Sequence, residues 1–580
     1  MNIRIGRFIY TSNNIKKECT FNSSVVKSDF NLIYETSIQN HGEKINVKII
    51  PKIKMEINYI SLEMDMTFSK TDTVFLNGYQ TWTESREFNI NEKISKPNRL
   101  IKSIINAYGD YTFLPAPKDS LHSWTYTYIR KINCILLLGS LSEASGYTAF
   151  VYSKKMTLHI TKDCSGLLID KEYQVFDIFI IEEEENYAFS QFFAAMNLPS
   201  SKVVQSTGWT SWYNYYTNIT QEIILENLNA FKSRNIPIDI FQIDDGYQEA
   251  VGDWLRINKK FPRGMKNLAD EIKKCGYKAG LWLAPFICEK KSEIFKNHPE
   301  WIVKKVGFNL EWNGTFYVLD FYNKEFRDYL RKVFSTIFID WNYDMVKLDF
   351  LYAVSLIKRR DKTRGQIMYE AMDFLREITG DKIILGCGVP LGCAFGFVDY
   401  CRIGSNIALK WEDKLLKRLN FRERTSTINS ITNTIGRRHL NKLAFINDSD
   451  VFILRTMNNN LTKNQRYTLL LINLIFGGLI FTSDNINEYT EEEMSIYKSM
   501  FKLQDRTVEK IERQSVLKIY FSIEDKKYLA LCNLSNKDTI ISMEEGTYFN
   551  RKNGFFKKDE TIKLEPCESI CLMIIGSASD

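Results

Sequence analysis

Residues 324–350 read KEFRDYLRKVFSTIFIDWNYDMVKLDF. Lys324–Phe338 has the pattern of an amphipathic helix, and Met345–Asp349 that of a short apolar strand ending in a carboxylate. The same alternation recurs on both sides. Apolar strands are expected at Thr207–Trp212, Ile240–Asp245, Gly280–Pro285, Met345–Asp349, Ile384–Gly388, Tyr400–Asn406, Ala444–Asp448 and Leu479–Asp484, with helices such as Asn267–Lys274 and Gln366–Ile378 between them. Eight strand-then-helix units in about 300 residues fit one (β/α)8 barrel, an α/β fold whose site is built at the carboxyl ends of the strands. Each of these strands ends in polar or aromatic residues.

The flanks read differently. Residues 1–195 carry short alternating strands, among them Asn46–Ile50, Ile132–Leu138, Thr148–Tyr152 and Val175–Ile181, and predict a large β-sandwich. The expected organisation is therefore a sandwich at 1–195, the barrel at 196–505 and a small antiparallel β domain at 506–580, with strands at Leu517–Phe521, Tyr528–Cys532 and Ser569–Ile574.

Composition narrows the function classes. The 580 residues hold 77 Lys and Arg against 70 Asp and Glu, a net charge of +7 that does not call for nucleic acid or an acidic membrane. At 44% hydrophobic and 25% charged residues the chain is not disordered. The 13% aromatic content suits sugar binding and β-rich cores alike. The start, MNIRIGRFIYTSNN, lacks the apolar core of a secretion signal. The longest nearly apolar stretch, Tyr467–Phe481, falls short of the roughly 18 residues a membrane span needs, so a cytoplasmic protein is expected. The 11 cysteines form no CxxC, the five histidines no HExxH or cluster, and no phosphate loop or dinucleotide motif is present. No metal and no cofactor is expected.

The chemistry then rests on strand ends. Period two puts Lys347 and Asp349 on one strand face, where an ammonium favours an ionised carboxylate suited to act as a nucleophile; a plain ion pair at a barrel mouth accounts for the same residues. Asp244-Asp245-Gly246 places two carboxylates together, fit for sugar hydroxyls, for a divalent metal, or for a helix cap and turn. Trp209 and Trp282 offer faces for a sugar ring or for the core. Cys387, between Gly386 and Gly388, is either a ligand contact or a small buried thiol, and Arg402 either a fork for oxygen atoms or a structural ion pair. Together these residues point to glycoside chemistry. A metal-dependent barrel hydrolase using Asp244 and Asp245 ranks below it, since no histidine accompanies them.

Eight segments carry a family resemblance: GWTSWYNYYTNIT (208–220), FQIDDGYQ (241–248), GDWL…KFPRGMKNLADEI (252–272), GLWLAPF (280–286), MVKLDF (345–350), GCGVPLGCAFGFVDYCRIG (386–404), INDSDVFILR (446–455) and FTSDN (481–485). With NGYQTWTES (77–85) and LHSWTYTYIR (121–130), they resemble the melibiase-type α-galactosidases of glycoside hydrolase family 36. The resemblance implies a β-supersandwich, a (β/α)8 TIM barrel and a C-terminal β domain. It implies retaining hydrolysis of terminal α-D-galactosides or α-N-acetylgalactosaminides, with Asp349 as nucleophile. Lys347 would bind the sugar and keep Asp349 ionised. Asp244 and Asp245 would take the 4- and 6-hydroxyls, Trp209 and Trp282 would line the pocket, and Cys387 and Arg402 would lie on the 2-hydroxyl side. The implied partner is a carbohydrate; family members are often oligomeric, and a homo-oligomer is an expectation of the same kind.

One position departs. Where the family reads roughly R-I-G-P-D-V-A-P-x-W, this chain reads Arg402-Ile403-Gly404-Ser405-Asn406-Ile407-Ala408-Leu409-Lys410-Trp411. Asn406 occupies the position of the acid/base aspartate, and an amide has no proton to give near neutral pH. An engineered substitution, natural divergence, or another carboxylate such as Glu412, Asp413 or Asp399 would each account for it. Ser405 and Leu409 also differ, which favours divergence. The alternative to an active hydrolase is a catalytically impaired α-galactoside-binding protein on the same scaffold.

Overall fold

A computed structural model describes residues 3–94, 109–110, 120–153, 156–309, 311–501, 506–543, 547–550, 554–557 and 560–576. Two antiparallel sheets form first. One is built on Met55–Asp65, which pairs with Ile3–Ser12 on one side and with Thr157–Lys162 on the other. The second runs through Phe30–Gln39, Gly42–Pro51, Tyr173–Glu183, Ile135–Ser140, Tyr126–Arg130, Thr73–Leu76 and Arg86–Asn89. Phe8, Ile60 and Leu62 of the first sheet and Val47, Leu138 and Ile178 of the second are fully buried in one core, as period-two alternation demands of facing sheets.

The strand expected at Ile132–Leu138 begins later, at Ile135. Lys131 N–H closes a turn onto the Cys134 carbonyl (2.9 Å), joining Tyr126–Arg130 to Ile135–Ser140, and Ile132 sits 88% exposed at its tip.

The barrel is closed and parallel. Its strands are Ser206–Thr210, Ile240–Ile243, Lys278–Leu283, Met345–Leu348, Ile383–Gly386, Tyr400–Arg402, Ile446–Phe452 and Leu479–Thr482, and the eighth pairs with the first. Nearly all their residues are buried, because helices cover the outer face. The helix anticipated in Lys324–Phe338 runs from Lys324 to Ser335. Asn323 caps it, and Phe326, Leu330, Val333 and Phe334 form its buried stripe. It then widens into a π turn at Thr336–Asp340. Between the third and fourth barrel strands lies an unforeseen three-stranded sheet, Ile287–Glu289, Ile302–Asn309 and Gly314–Leu319. The chain ends in a six-stranded sheet that includes Leu517–Ile523, Lys526–Cys532 and Ser569–Gly576. Residues 502–505, where the sequence sets the second domain boundary, lie outside the described residues.

The sandwich reaches the barrel mouth through residues 77–85. Buried Arg437, just past the helix Thr427–Gly436, donates to Asn77 Oδ1 (2.8 Å), to the carbonyls of Thr81 (2.6 Å) and Gln80 (3.1 Å), and to Ile403 O of the barrel (2.8 Å). Ser85 N–H donates to Asn433 on the same helix (2.6 Å). This clamp brings Trp82 over the carboxyl ends of the barrel strands.

Candidate active site

A cavity of about 900 Å³ opens at those strand ends. Asp349 follows the fourth strand. Its backbone N–H donates to the Leu283 carbonyl (2.8 Å), and its carboxylate accepts from Trp282 Nε1 (3.2 Å) and Phe350 N–H (2.9 Å). Phe350 has φ +53°, a left-handed conformation rare for an aromatic residue. The chain thus turns sharply straight after the carboxylate it presents.

Lys347 lies two residues before Asp349, but its ion-pair partner is Asp244 (2.8 Å), not Asp349 as the strand period suggests. The barrel brings the second strand end across to the fourth, and Asp244 is the nearer oxygen. Burial works against the Lys347 charge; Asp244 outweighs it, Asp349 adds to it, and the ammonium is held above its ordinary value. Asp244 also accepts from Gln242 Nε2 (2.9 Å). Asp245 accepts from Trp312 Nε1 (2.7 Å) and Gln248 Nε2 (2.6 Å). Burial, with the charges of Asp244 and Glu289, pushes Asp245 up to about 7, against the pull of those two donors. Asp244, Asp245, Trp282, Lys347, Asp349 and Asn406 all line the cavity.

Three expected contacts lie elsewhere. Trp209 is fully buried, stacks on Phe241 (4.3 Å between ring centroids) and donates to the Asp484 carbonyl (3.1 Å). Its neighbour Thr210 bonds to Gln242 and Asp244, so strand alternation turns Trp209 away from the cavity; Trp212 lines it instead. Cys387 is buried and absent from the cavity wall, and burial raises its thiol well above the ordinary value. The close approach that its flanking glycines allow is made by protein. A Cβ on Gly388 would lie 2.9 Å from the Trp82 ring, and one on Gly386 would lie 3.0 Å from Val398.

Arg402 is likewise a buried clamp. It binds Asp448 (2.9 Å), Asp450 (2.9 Å) and, through Nη1, the Asn406 side-chain oxygen (2.8 Å). That bond engages the amide oxygen, and the amide of Asn406, which lines the cavity, has no proton to give as an acid.

The carboxylates nearest Asn406 in sequence are engaged away from the cavity. Glu412 binds Arg424 (3.0 Å) and Lys417 (3.0 Å), Asp413 caps the helix Lys414–Arg418, and Asp399 binds Arg376 (2.7 Å). Glu423 does line the cavity, and sequence reading passed over it because it belongs to no motif. Trp312 was missed too. Its signal was the Asn313-Gly314 turn after it, which marks a hairpin, with Asn313 at φ +47°. Trp82 comes from the sandwich and could not be placed without the docked fold.

Comparison with known proteins finds likenesses to one family. The family model for Melibiase matches residues 205–377. The α-galactosidase of Escherichia coli is 28% identical over 178 residues, 29% of this chain and 25% of that protein. The α-galactosidase Mel36A of Lactobacillus acidophilus is 29% identical over 142 residues, 23% of this chain and 19% of that one. These alignments span a quarter or less of the curated relatives. In three dimensions, the α-galactosidase TtGalA of Thermus thermophilus, solved with p-nitrophenyl α-D-galactopyranoside, superposes with a TM-score of 0.68 at 24% identity, over 84% of this chain and 97% of that one. The family 36 α-galactosidase AgaA of Geobacillus stearothermophilus superposes with a TM-score of 0.64 at 12% identity, over 98% and 89% of the two chains. Both likenesses show a shared fold.

Proposed function

We propose that this chain is a melibiase-type protein of glycoside hydrolase family 36 that hydrolyses terminal α-D-galactosides with retention of configuration. The observation that carries the reading is the convergence of Asp349, the Lys347–Asp244 pair and Asp245 on one cavity with Trp282 and Trp312 in its wall. Asp349 attacks the anomeric carbon, and the bond to the leaving oxygen breaks as the glycosyl-enzyme forms; water then reverses the sequence at the same carbon. Asp244 and Asp245 accept hydrogen bonds from adjacent sugar hydroxyls. An equatorial 4-hydroxyl would leave a buried carboxylate short of its donor. Solved relatives with this fold hold stachyose and raffinose, sugars that end in an α-galactosyl group.

The test compares aryl α-galactoside with aryl α-glucoside. A strong preference for the galactoside is expected, and equal rates would overturn the assignment. One observation favours a second reading, an α-galactoside-binding chain with impaired turnover: the Asn406 amide, which accepts from Arg402 and has no proton to give. In that case activated aryl galactosides react, natural disaccharides bind without turning over, and the glycosyl-enzyme accumulates.

A further inference from the structure

We propose that Glu423 is the proton donor and acceptor on the leaving-group side of the cavity, in place of Asn406. The inference rests on the hydrolase reading above and concerns the part of it that Asn406 leaves open.

The geometry comes from the loop that carries Glu423. Ser426 N–H donates to the Asn406 carbonyl (3.2 Å). The Asn429 amide donates to Ser405 Oγ (3.0 Å) and to the carbonyls of Arg422 (3.2 Å) and Arg424 (3.0 Å). Residues 422–426 are therefore laced to the chain at 405–406, and Glu423 and Asn406, carried by these two joined segments, both line the cavity. Its carboxyl is fixed from the sandwich: Thr83 Oγ1 (2.8 Å) and Asp110 N–H (3.0 Å) both donate to Oε1, which leaves Oε2 to hold a proton.

Its surroundings keep that proton near neutrality. Burial, then the charge of Asp110, pushes Glu423 up to about 7, against Arg422 and the two hydrogen bonds. Asp110 is itself held by His122 and Arg422. The other acidic groups on the cavity wall are placed for different work. Asp244 is paired with Lys347, Asp245 accepts from Trp312 and Gln248, Asp349 is the nucleophile, and Glu311 is exposed beside Trp312.

The chemistry balances. As an Asp349 oxygen bonds to the anomeric carbon, the carbon–oxygen bond to the aglycone breaks, and the Oε2 proton passes to the departing alkoxide. In the second half, the Glu423 carboxylate takes a proton from water as that water's oxygen bonds to the anomeric carbon and the ester to Asp349 breaks.

Glu423→Gln tests this, because the amide oxygen can still accept from Thr83 and Asp110. Turnover of an α-1,6-linked galactosyl-glucose should fall by roughly 10²–10⁴-fold. Glycosylation by a dinitrophenyl α-galactoside, whose leaving group needs no acid, should fall far less. Azide should restore its turnover and yield the retained glycosyl azide, and the decline of kcat/KM above about pH 7 in the unaltered enzyme should weaken, the remainder belonging to Asp245, which titrates in the same range. Three results would overturn the inference alone: an unchanged rate and pH profile on the disaccharide; equal loss on both substrates without azide rescue, the mark of a structural role; or a rise of roughly 10²–10⁴-fold in Asn406→Asp with Glu423→Gln silent. An unaltered enzyme that opens neither α-galactoside and forms no glycosyl-enzyme would overturn the hydrolase reading, and this inference with it.

Discussion

Asp349 is defined by what surrounds it. Two N–H donors hold its oxygens, from the Trp282 ring and its own following amide. The Lys347 cation lies one residue pair away on Asp244. If Asp349 forms the glycosyl-enzyme, Asp349→Ala should abolish turnover even of activated aryl galactosides, since an ideal leaving group still needs a nucleophile. A mechanism-based fluorosugar should label the unaltered enzyme on Asp349. Label recovered from another carboxylate, measured by peptide mass spectrometry, would refute the assignment. Arg402 teaches the opposite lesson at the same scale. A guanidinium at a strand end suggested a sugar contact, yet Asp448, Asp450 and Asn406 take its donors. A buried cation draws the anions around it, and those anions lie on another strand.

The three-stranded insertion between the third and fourth barrel strands is the element with most influence on the cavity beyond the barrel itself. Its hairpin, Ile302–Asn309 with Gly314–Leu319, delivers Trp312 to Asp245. The indole packs against Phe316 (5.5 Å) and Phe350 (5.4 Å), so its N–H is aimed rather than free to turn. Trp312→Phe keeps the packing and removes the donor, leaving a buried carboxylate with Gln248 as its remaining side-chain donor among the described residues. A cost of about 1–3 kcal/mol in binding is expected, a loss of roughly 5- to 150-fold in kcat/KM for an aryl α-galactoside. Steady-state kinetics beside a thermal melt check it; an unchanged kcat/KM would show that the hairpin merely covers the site. The loop at 421–426 also contributes to the cavity wall, tied to both the barrel and the sandwich.

Across the whole molecule, the sandwich and the barrel share one buried polar seam. Arg437 bridges Asn77, Thr81 and Ile403, and Asp110 joins His122, Arg422 and Glu423. The seam gives stability a pH dependence whose sign follows from its carboxyls. Glu84 is half-buried, which works against its charge, but Arg424 and Arg86 hold it down at about 2, from an ordinary 4.5. Its contribution is present above about pH 4.5 and lost as pH falls toward 2. Glu423 in the seam and Asp245 in the cavity are both raised to about 7, so the folded chain binds more protons than the unfolded one between about pH 4 and pH 7. Their contribution is full below that window and declines across it. The melting temperature should therefore peak on the acidic side of neutrality, and Glu423→Gln should flatten the fall toward pH 7. Thermal melts across pH 3–9 would show it; identical curves for the two proteins would refute the assignment of the slope to Glu423.

The sequence by itself determined the closed barrel and pointed to most of the polar residues that line its cavity. Strand and helix periods are local properties, and the barrel places every strand's carboxyl end at one mouth, so Asp244, Asp245, Trp282, Lys347 and Asp349 could be named from strand ends, and Asn406 from the family resemblance. Tertiary structure decided which of those residues pair and which face the cavity. Trp209 and Trp282 occupy similar strand positions, yet one turns to the helix layer and the other to Asp349. Lys347 chose Asp244 across the barrel over Asp349 on its own strand. Trp82, Trp312 and Glu423 reach the cavity from the sandwich, an inserted hairpin and a loop. No local period encodes such positions, because each depends on where a distant segment docks. Long-range packing supplied the contacts; local pattern supplied the scaffold that receives them.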